Sequence, residues 1–281
     1  MPQTILRIEE HSRDSTGMTY VYAVVSRRAE GVSIGINLNP NNACNWRCIY
    51  CQVPGLVRGA PPPIDLDQLR RELEQMLDDV LSGDFMEQRV AESARRLMDI
   101  SFSGNGEPTS AKEFAAAMVL VTELVSRRGL TDKLTIRLIT NGSLMDRAVV
   151  KEGVALLGKA GGEVWFKIDG ATSDAIARIN NVRASPATVM RRLRICASLC
   201  SVWVQSCWFV LDGNPPAEDE VSAYIELLTG VSDIVSGIHL YGLARPSMQP
   251  EAPRLTPVSA AWMEALAQRL RDRGLTVKVS P

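Results

Sequence analysis

The stretch "NACNWRCIYCQVPG" sets Cys44, Cys48 and Cys51 in the spacing CxxxCxxC, with no fourth cysteine nearby. Thiolates are ligands for soft metals, and clustered cysteines in a reducing compartment read first as metal ligands or reactive thiols rather than as disulfides. A structural zinc wants four ligands, and His11 and His239 both lie far from the cluster in sequence. A catalytic zinc with three protein ligands fits the count, but three thiolates would leave it electron-rich and weakly acidic. A four-iron cluster fits differently, because three thiolates hold three irons and leave the fourth open to an outside ligand. A simple electron carrier would close that position with another cysteine, so an open iron facing a cavity points to chemistry at the cluster.

The elements that must position these thiols are six β-rich runs, at 32–38, 98–104, 134–140, 163–169, 202–210 and 233–242, alternating with segments of helical periodicity. That alternation predicts a parallel sheet of βαβ units. Read with period two, one face of these strands carries Ser33, Gly35 and Asn37, then Asp99, Ser101 and Ser103, then Lys167 and Asp169, then Gly237, His239 and Tyr241, while the other is Val, Ile, Phe and Leu. Unpaired polar groups are costly inside a packed core. An α/β fold in the form of an open, partial (β/α)6 barrel puts that polar face around a ligand, with reacting groups at the carboxyl ends of the strands. The cysteine run follows the first strand and so falls at that mouth. Residues 1–31 are expected to form an N-terminal extension packing on the barrel, and residues 32–281 the barrel core with a C-terminal helix.

The 281 residues are 46% hydrophobic and 22% charged, with a net charge of −1, enough to bury a large core and without a general attraction for nucleic acid. No apolar run approaches the roughly 18 to 20 residues that cross a bilayer, and the N-terminus lacks a signal-peptide core, so a cytoplasmic protein with no membrane partner is expected. Cys196, Cys200 and Cys207 read as small buried hydrophobes.

The chain resembles the radical S-adenosylmethionine (SAM) superfamily. The resemblance rests on "CNWRCIYC" with the aromatic Tyr50 before its third cysteine, on "FSGNGEPT", which looks like that family's Gly-Gly-Glu-Pro motif, and on "TNG" at 140–142 after the third strand. It implies a [4Fe-4S] cluster on Cys44, Cys48 and Cys51, whose open iron chelates the amino and carboxylate groups of SAM. It also implies reductive cleavage of SAM to a 5′-deoxyadenosyl radical that abstracts hydrogen from a substrate, in which the cofactor supplies the chemistry and the protein supplies orientation and exclusion of water. By the same resemblance Tyr50, Gly104, Asn105, Gly106 and Glu107 contact the cofactor. The glycines allow close backbone approach, and the carboxylate suits a cation. Asn141, Lys167, Asp169, Gln205 and His239 are further cofactor-binding candidates at strand ends, with Tyr241, Asn214 and Arg245 beside them; no catalytic residue is assigned.

Within the superfamily, "GINLNPNNACNWRCIYCQ", "FSGNGEPT" and "LYGLARP" look most similar to iron–sulfur oxidoreductases related to the tRNA wyosine-base synthases. A pI of about 6.2 and the lack of an extended basic surface argue against tRNA as substrate. A small molecule or peptide in a cavity sealed by the 244–257 loop fits at least as well. A flavodoxin or ferredoxin-type electron donor is implied as partner. An activase of a glycyl-radical partner and a non-enzymatic iron–sulfur or zinc protein are the other readings.

Overall fold

The computed structural model describes residues 5–6, 16–26 and 31–281. Most of the expected N-terminal extension, His11 included, lies outside the described residues.

All six expected strands form, as β2 (Gly31–Ile36), β3 (Leu97–Phe102), β4 (Thr135–Thr140), β5 (Glu163–Lys167), β6 (Ser201–Cys207) and β7 (Gly237–Tyr241). Neighbours in this series pair in parallel and in chain order. Two further strands flank them. β1 (Val21–Ser26) runs antiparallel to β2, and β8 (Val277–Ser280) runs parallel to β7. The eight-stranded ladder therefore ends on β1 and β8 without closing on itself, which is the open half-barrel the polar strand face requires.

The apolar strand face is buried under helices. Ile34, Ile36, Ile100, Phe102, Leu138 and Phe166 join one core with Leu69 and Leu73 of α1 (Leu66–Leu81), Phe114 and Met118 of α2 (Phe114–Arg127), and Val150 and Val154 of α3 (Ala148–Lys159). Each side chain of this size stabilises the fold by about 1.5–3 kcal/mol on burial. Then come α4 (Ser173–Asn180), α5 (Pro186–Ala197), α6 (Glu218–Thr229) and α7 (Ala260–Arg271). Helix α4 is an element the periodicity did not reveal, because eight residues give barely two turns of pattern. Thr172 caps it by accepting from the Ala175 N–H, and Asn181 ends it in the left-handed region at φ 54°.

Edge strand β1 is fixed by a buried carboxylate. Glu72 of α1 accepts the backbone N–H groups of Thr19, Tyr20 and Val21 at 3.0, 2.7 and 3.2 Å. Tyr22 lies over Gly35, where any β-carbon would sit 2.0 Å from the tyrosine ring.

Candidate active site

The polar strand face lines one cavity of about 300 Å³, which opens at the carboxyl ends of the strands. Its wall brings together Cys44, Cys48 and Cys51 from the loop after β2, Tyr50 beside them, and Gly104, Asn105, Gly106 and Glu107 from the turn after β3. Of the other residues expected there, Asn141 after β4, Lys167 of β5, Gln205 of β6, Tyr241 of β7 and Arg245 after it also line the wall, and Asn214 does not.

The cysteine loop is held by asparagines. The Asn37 side-chain oxygen accepts the N–H groups of Asn39 and Asn105, both at 3.1 Å. Asn39 donates to the Ala43 carbonyl at 2.9 Å, Asn105 donates to Asn42 at 2.7 Å, and Asn141 donates to Asn45 at 2.9 Å. The glycines of the turn make this docking possible. Gly104 has φ 140°, and a β-carbon there would meet the Asn37 oxygen at 2.4 Å; one on Gly106 would meet the Ala43 carbonyl oxygen at 2.1 Å. Both glycines thus admit the cysteine loop itself.

Glu107 is buried, and its carboxylate ties two strand ends together. One oxygen accepts from the Thr109 N–H (3.1 Å), the Thr109 hydroxyl (2.6 Å) and the Thr140 hydroxyl (2.6 Å), while the other accepts from the Asn141 N–H (2.7 Å). Burial raises its pKa above the ordinary value, against these donors, which pull it down.

A second grip comes from the end of α4. The Arg47 and Ile49 N–H groups donate to the carbonyls of Asn180 and Ile179, and the Asn181 side chain donates to the Arg47 carbonyl at 2.9 Å. The Asn180 amide donates to the Cys48 sulfur at 3.2 Å and to Asp169 at 2.9 Å. Neither asparagine was singled out in the sequence; the signal was the pair "NN" closing an unrecognised helix.

Two expected cofactor contacts fall outside the cavity wall. Asp169 turns aside, fully buried, and accepts from the Tyr50 hydroxyl at 2.5 Å, the Asn180 amide and the Cys207 N–H at 3.1 Å. It braces Tyr50 and the cysteine loop from behind. His239 points along the interior strand face but is stacked between Trp165 and Trp203, with ring centroids 4.5 and 4.7 Å away. Two indoles fill the space a cofactor would need to reach it. Lys167 donates to the Tyr241 hydroxyl at 2.9 Å and lies 3.9 Å from Asp169. Burial pulls its pKa down, but Asp169, Tyr241 and Cys48 together outweigh this and hold the ammonium well above the ordinary lysine range.

Burial pushes the Cys44 thiol up to about 11 and the Cys48 thiol up to about 12. Thiols so placed become ligands only when a metal replaces the proton. The Trp46 N–H approaches the Cys44 sulfur at 3.4 Å, as Asn180 does Cys48, and such N–H···S contacts suit cluster thiolates. Three thiols on one polar cavity with donors aimed at two of the sulfurs fit an iron–sulfur cluster. Among the described residues no group of three or more His, Cys, Asp or Glu is set to hold a single metal ion. Cys196 and Cys200 are buried in the main core, and Cys200 donates to the Gly162 carbonyl at 3.3 Å.

The family model described as the radical SAM superfamily matches residues 38–228, which contain the whole cysteine run, the glycine turn and strands β3 to β6. The chain belongs to the radical SAM superfamily. It is an enzyme, and its cofactors are those the superfamily uses, a [4Fe-4S] cluster and SAM. Among solved structures it is similar to a radical SAM methyltransferase from Sphaerobacter thermophilus, at 15% identity and TM-score 0.60 over 92% of this chain and 68% of that one. It is also similar to the FeFe-hydrogenase maturase HydG from Carboxydothermus hydrogenoformans, at 10% identity and TM-score 0.51 over 88% of this chain and 53% of that one. At such identities the likeness is one of fold. A curated relative, the GTPase Obg of Brachyspira hyodysenteriae, is 31% identical over 126 residues, 43% of this chain but 15% of its own length. No helix among the described residues is long and apolar enough to cross a membrane.

Proposed function

We propose that this radical SAM enzyme acts on a small polar molecule or peptide bound within the half-barrel, with Cys44, Cys48 and Cys51 holding the cluster. The observation that carries this reading is the convergence of the three thiols, the glycine turn and the strand-end polar groups on one cavity. When bound, the cluster and SAM together supply the one-electron cleavage that generates a 5′-deoxyadenosyl radical. The chain's own residues do the rest. The turn at Gly104, Asn105 and Gly106 presents backbone to the cofactor beside the cysteine loop, and Asn141, Lys167 and Gln205 offer polar groups from three successive strand ends. Tyr50, braced by Asp169, packs beside Cys48 and limits water. The cavity wall also carries Asp99, which accepts from the Ser33 and Ser101 hydroxyls, and the paired hydroxyls of Tyr22 and Ser103, and among the described residues the buried Gln205 side-chain oxygen has no partner, as suits a ligand that brings its own donor.

A flavodoxin or ferredoxin-type protein is the proposed electron donor. The likeness of the cysteine and glycine motifs to the wyosine-synthase-related group makes tRNA the second substrate class, which the net charge of −1 does not favour.

Anaerobically reconstituted protein with reductant should convert SAM to 5′-deoxyadenosine and methionine, and Cys48→Ala should lose both the visible iron–sulfur absorbance and that conversion. One equivalent of tightly bound zinc, with no SAM cleavage after iron loading, would overturn the reading. Methylthioadenosine as the nucleoside product would instead assign a different bond of SAM to the reaction.

A further inference from the structure

Residues 243–254 follow β7 and cross the mouth of the half-barrel to the cysteine loop, about 200 positions earlier in the chain. The Ser247 hydroxyl donates to the carbonyl of Ile49 at 2.7 Å and to that of Cys51 at 3.3 Å. The Met248 N–H donates to the Cys51 carbonyl at 2.9 Å. The Gln249 amide donates to the Val53 carbonyl at 3.1 Å and to the Cys51 carbonyl at 3.4 Å, and its own N–H donates to Ser247 at 3.1 Å. Glu251 closes the set with a two-pronged ion pair to Arg47, at 2.7 and 2.9 Å.

The targets are the carbonyls at 49, 51 and 53, alternate positions centred on the third cysteine. Cys44 and Cys48 are held by other elements, through Asn39 and the Ala43 carbonyl on one side and Asn180 on the other. Ser247 and Gln249 are both 7% exposed, and polar side chains so buried are retained where their hydrogen bonds fix a geometry that apolar packing would leave free. The far end of the strap is anchored as well. Strand Leu255–Pro257 pairs with Phe209–Leu211, and Arg254 forms a two-pronged ion pair with Asp212 at 2.8 and 2.7 Å.

We propose that Ser247 and Gln249 are positioning residues for Cys51, and that the strap they belong to sets how firmly the third corner of the cluster is held. The inference rests on the cluster assignment above and adds that retention of the cluster is governed from a segment that supplies no ligand. The strap also joins the cysteine loop to the chain leaving β6, which carries Gln205 and Cys207 at the cavity wall.

The test compares reconstituted wild type with Ser247→Ala, Gln249→Met and Ser247→Thr. Iron and sulfide per chain, the rate of iron release to a chelator, and the thermal midpoint of each apoprotein are measured. Iron release at least ten-fold faster than wild type is expected for Ser247→Ala and Gln249→Met while the apoprotein still melts cooperatively within a few degrees of wild type. The conservative Ser247→Thr, which keeps the hydroxyl, should restore slow release. Should Ser247→Ala not fold, Gln249→Met, which nearly conserves volume and removes the donor, is read alone. Wild-type release rates in the folded variants would overturn the clamp while leaving the cluster assignment standing; a wild type that takes up no cluster would overturn both.

Discussion

Gly106 has no side chain because the Ala43 carbonyl already occupies the place of one, 2.1 Å from where a β-carbon would stand. Gly106→Ala must therefore push the cysteine loop off the turn after β3. Overpacking of this kind costs about 1–3 kcal/mol, and the expected outcome is a lowered denaturant midpoint together with reduced iron uptake. Asn180 makes a different kind of contact, donating to the Cys48 sulfur. Hydrogen bonds to cluster sulfurs favour the more negative, reduced state. Asn180→Leu should thus move the cluster's midpoint potential to a more negative value, read by redox titration followed by electron paramagnetic resonance; a retained cluster at the wild-type potential would contradict the role. The cysteine cluster was legible from its spacing and position, whereas Tyr50 and the turn from Gly104 to Glu107 were picked out only by the resemblance of their motifs to the superfamily's. The roles of the asparagines at 37, 42 and 180 were not legible, because each acts through a partner remote in sequence, Asn105 for the first two and Cys48 for the third. The surroundings of Asp169 and His239 were not legible for a related reason: period-two alternation says which face a residue occupies but not what already fills the space above it.

Strand β1 depends on Glu72, three of whose hydrogen bonds come from consecutive backbone N–H groups at the strand's start. Glu72→Ala leaves those donors buried or half-buried without an acceptor, at about 1–3 kcal/mol for each buried one left unsatisfied. A loss of roughly 2–4 kcal/mol in urea unfolding is expected on that basis, with faster hydrogen exchange in residues 21–26 than in the central strands. The central six strands could be drawn from the sequence because each is a run of β-branched and aromatic residues on one face. β1 and β8 escaped because edge strands of six and four residues have one neighbour to satisfy and carry little pattern. Helix α4 escaped for its length, and with it went the grip on Cys48.

At the scale of the whole molecule the ladder stays open between β1 and β8, and the cysteine loop and the 243–254 strap sit over the mouth of the half-barrel. Its surface is laced with arginine–carboxylate pairs, of which Asp146 is the most shifted, held at about 2 by hydrogen bonds from Arg191 and Arg192. A carboxyl depressed in the folded state contributes stability that is complete above its unfolded value of about 4 and is lost as pH falls toward 2. Asp146→Asn should lower the thermal midpoint near neutrality and flatten its fall between those pH values, so that variant and wild type converge near pH 2, and added salt should shrink the difference because the pair is exposed. Glu107 carries the opposite sign: raised by burial, its contribution is fully present below the ordinary glutamate range and is lost as pH rises through the raised value. The three thiols on this cavity are proposed to hold a cluster whose remaining iron takes SAM. Electron paramagnetic resonance of the anaerobically reduced, reconstituted protein before and after adding SAM tests that proposal most directly. A [4Fe-4S] signal that changes on addition of SAM, and that disappears in Cys44→Ala, Cys48→Ala and Cys51→Ala, is the result predicted; a cluster signal indifferent to SAM, or one that survives loss of these cysteines, would contradict it.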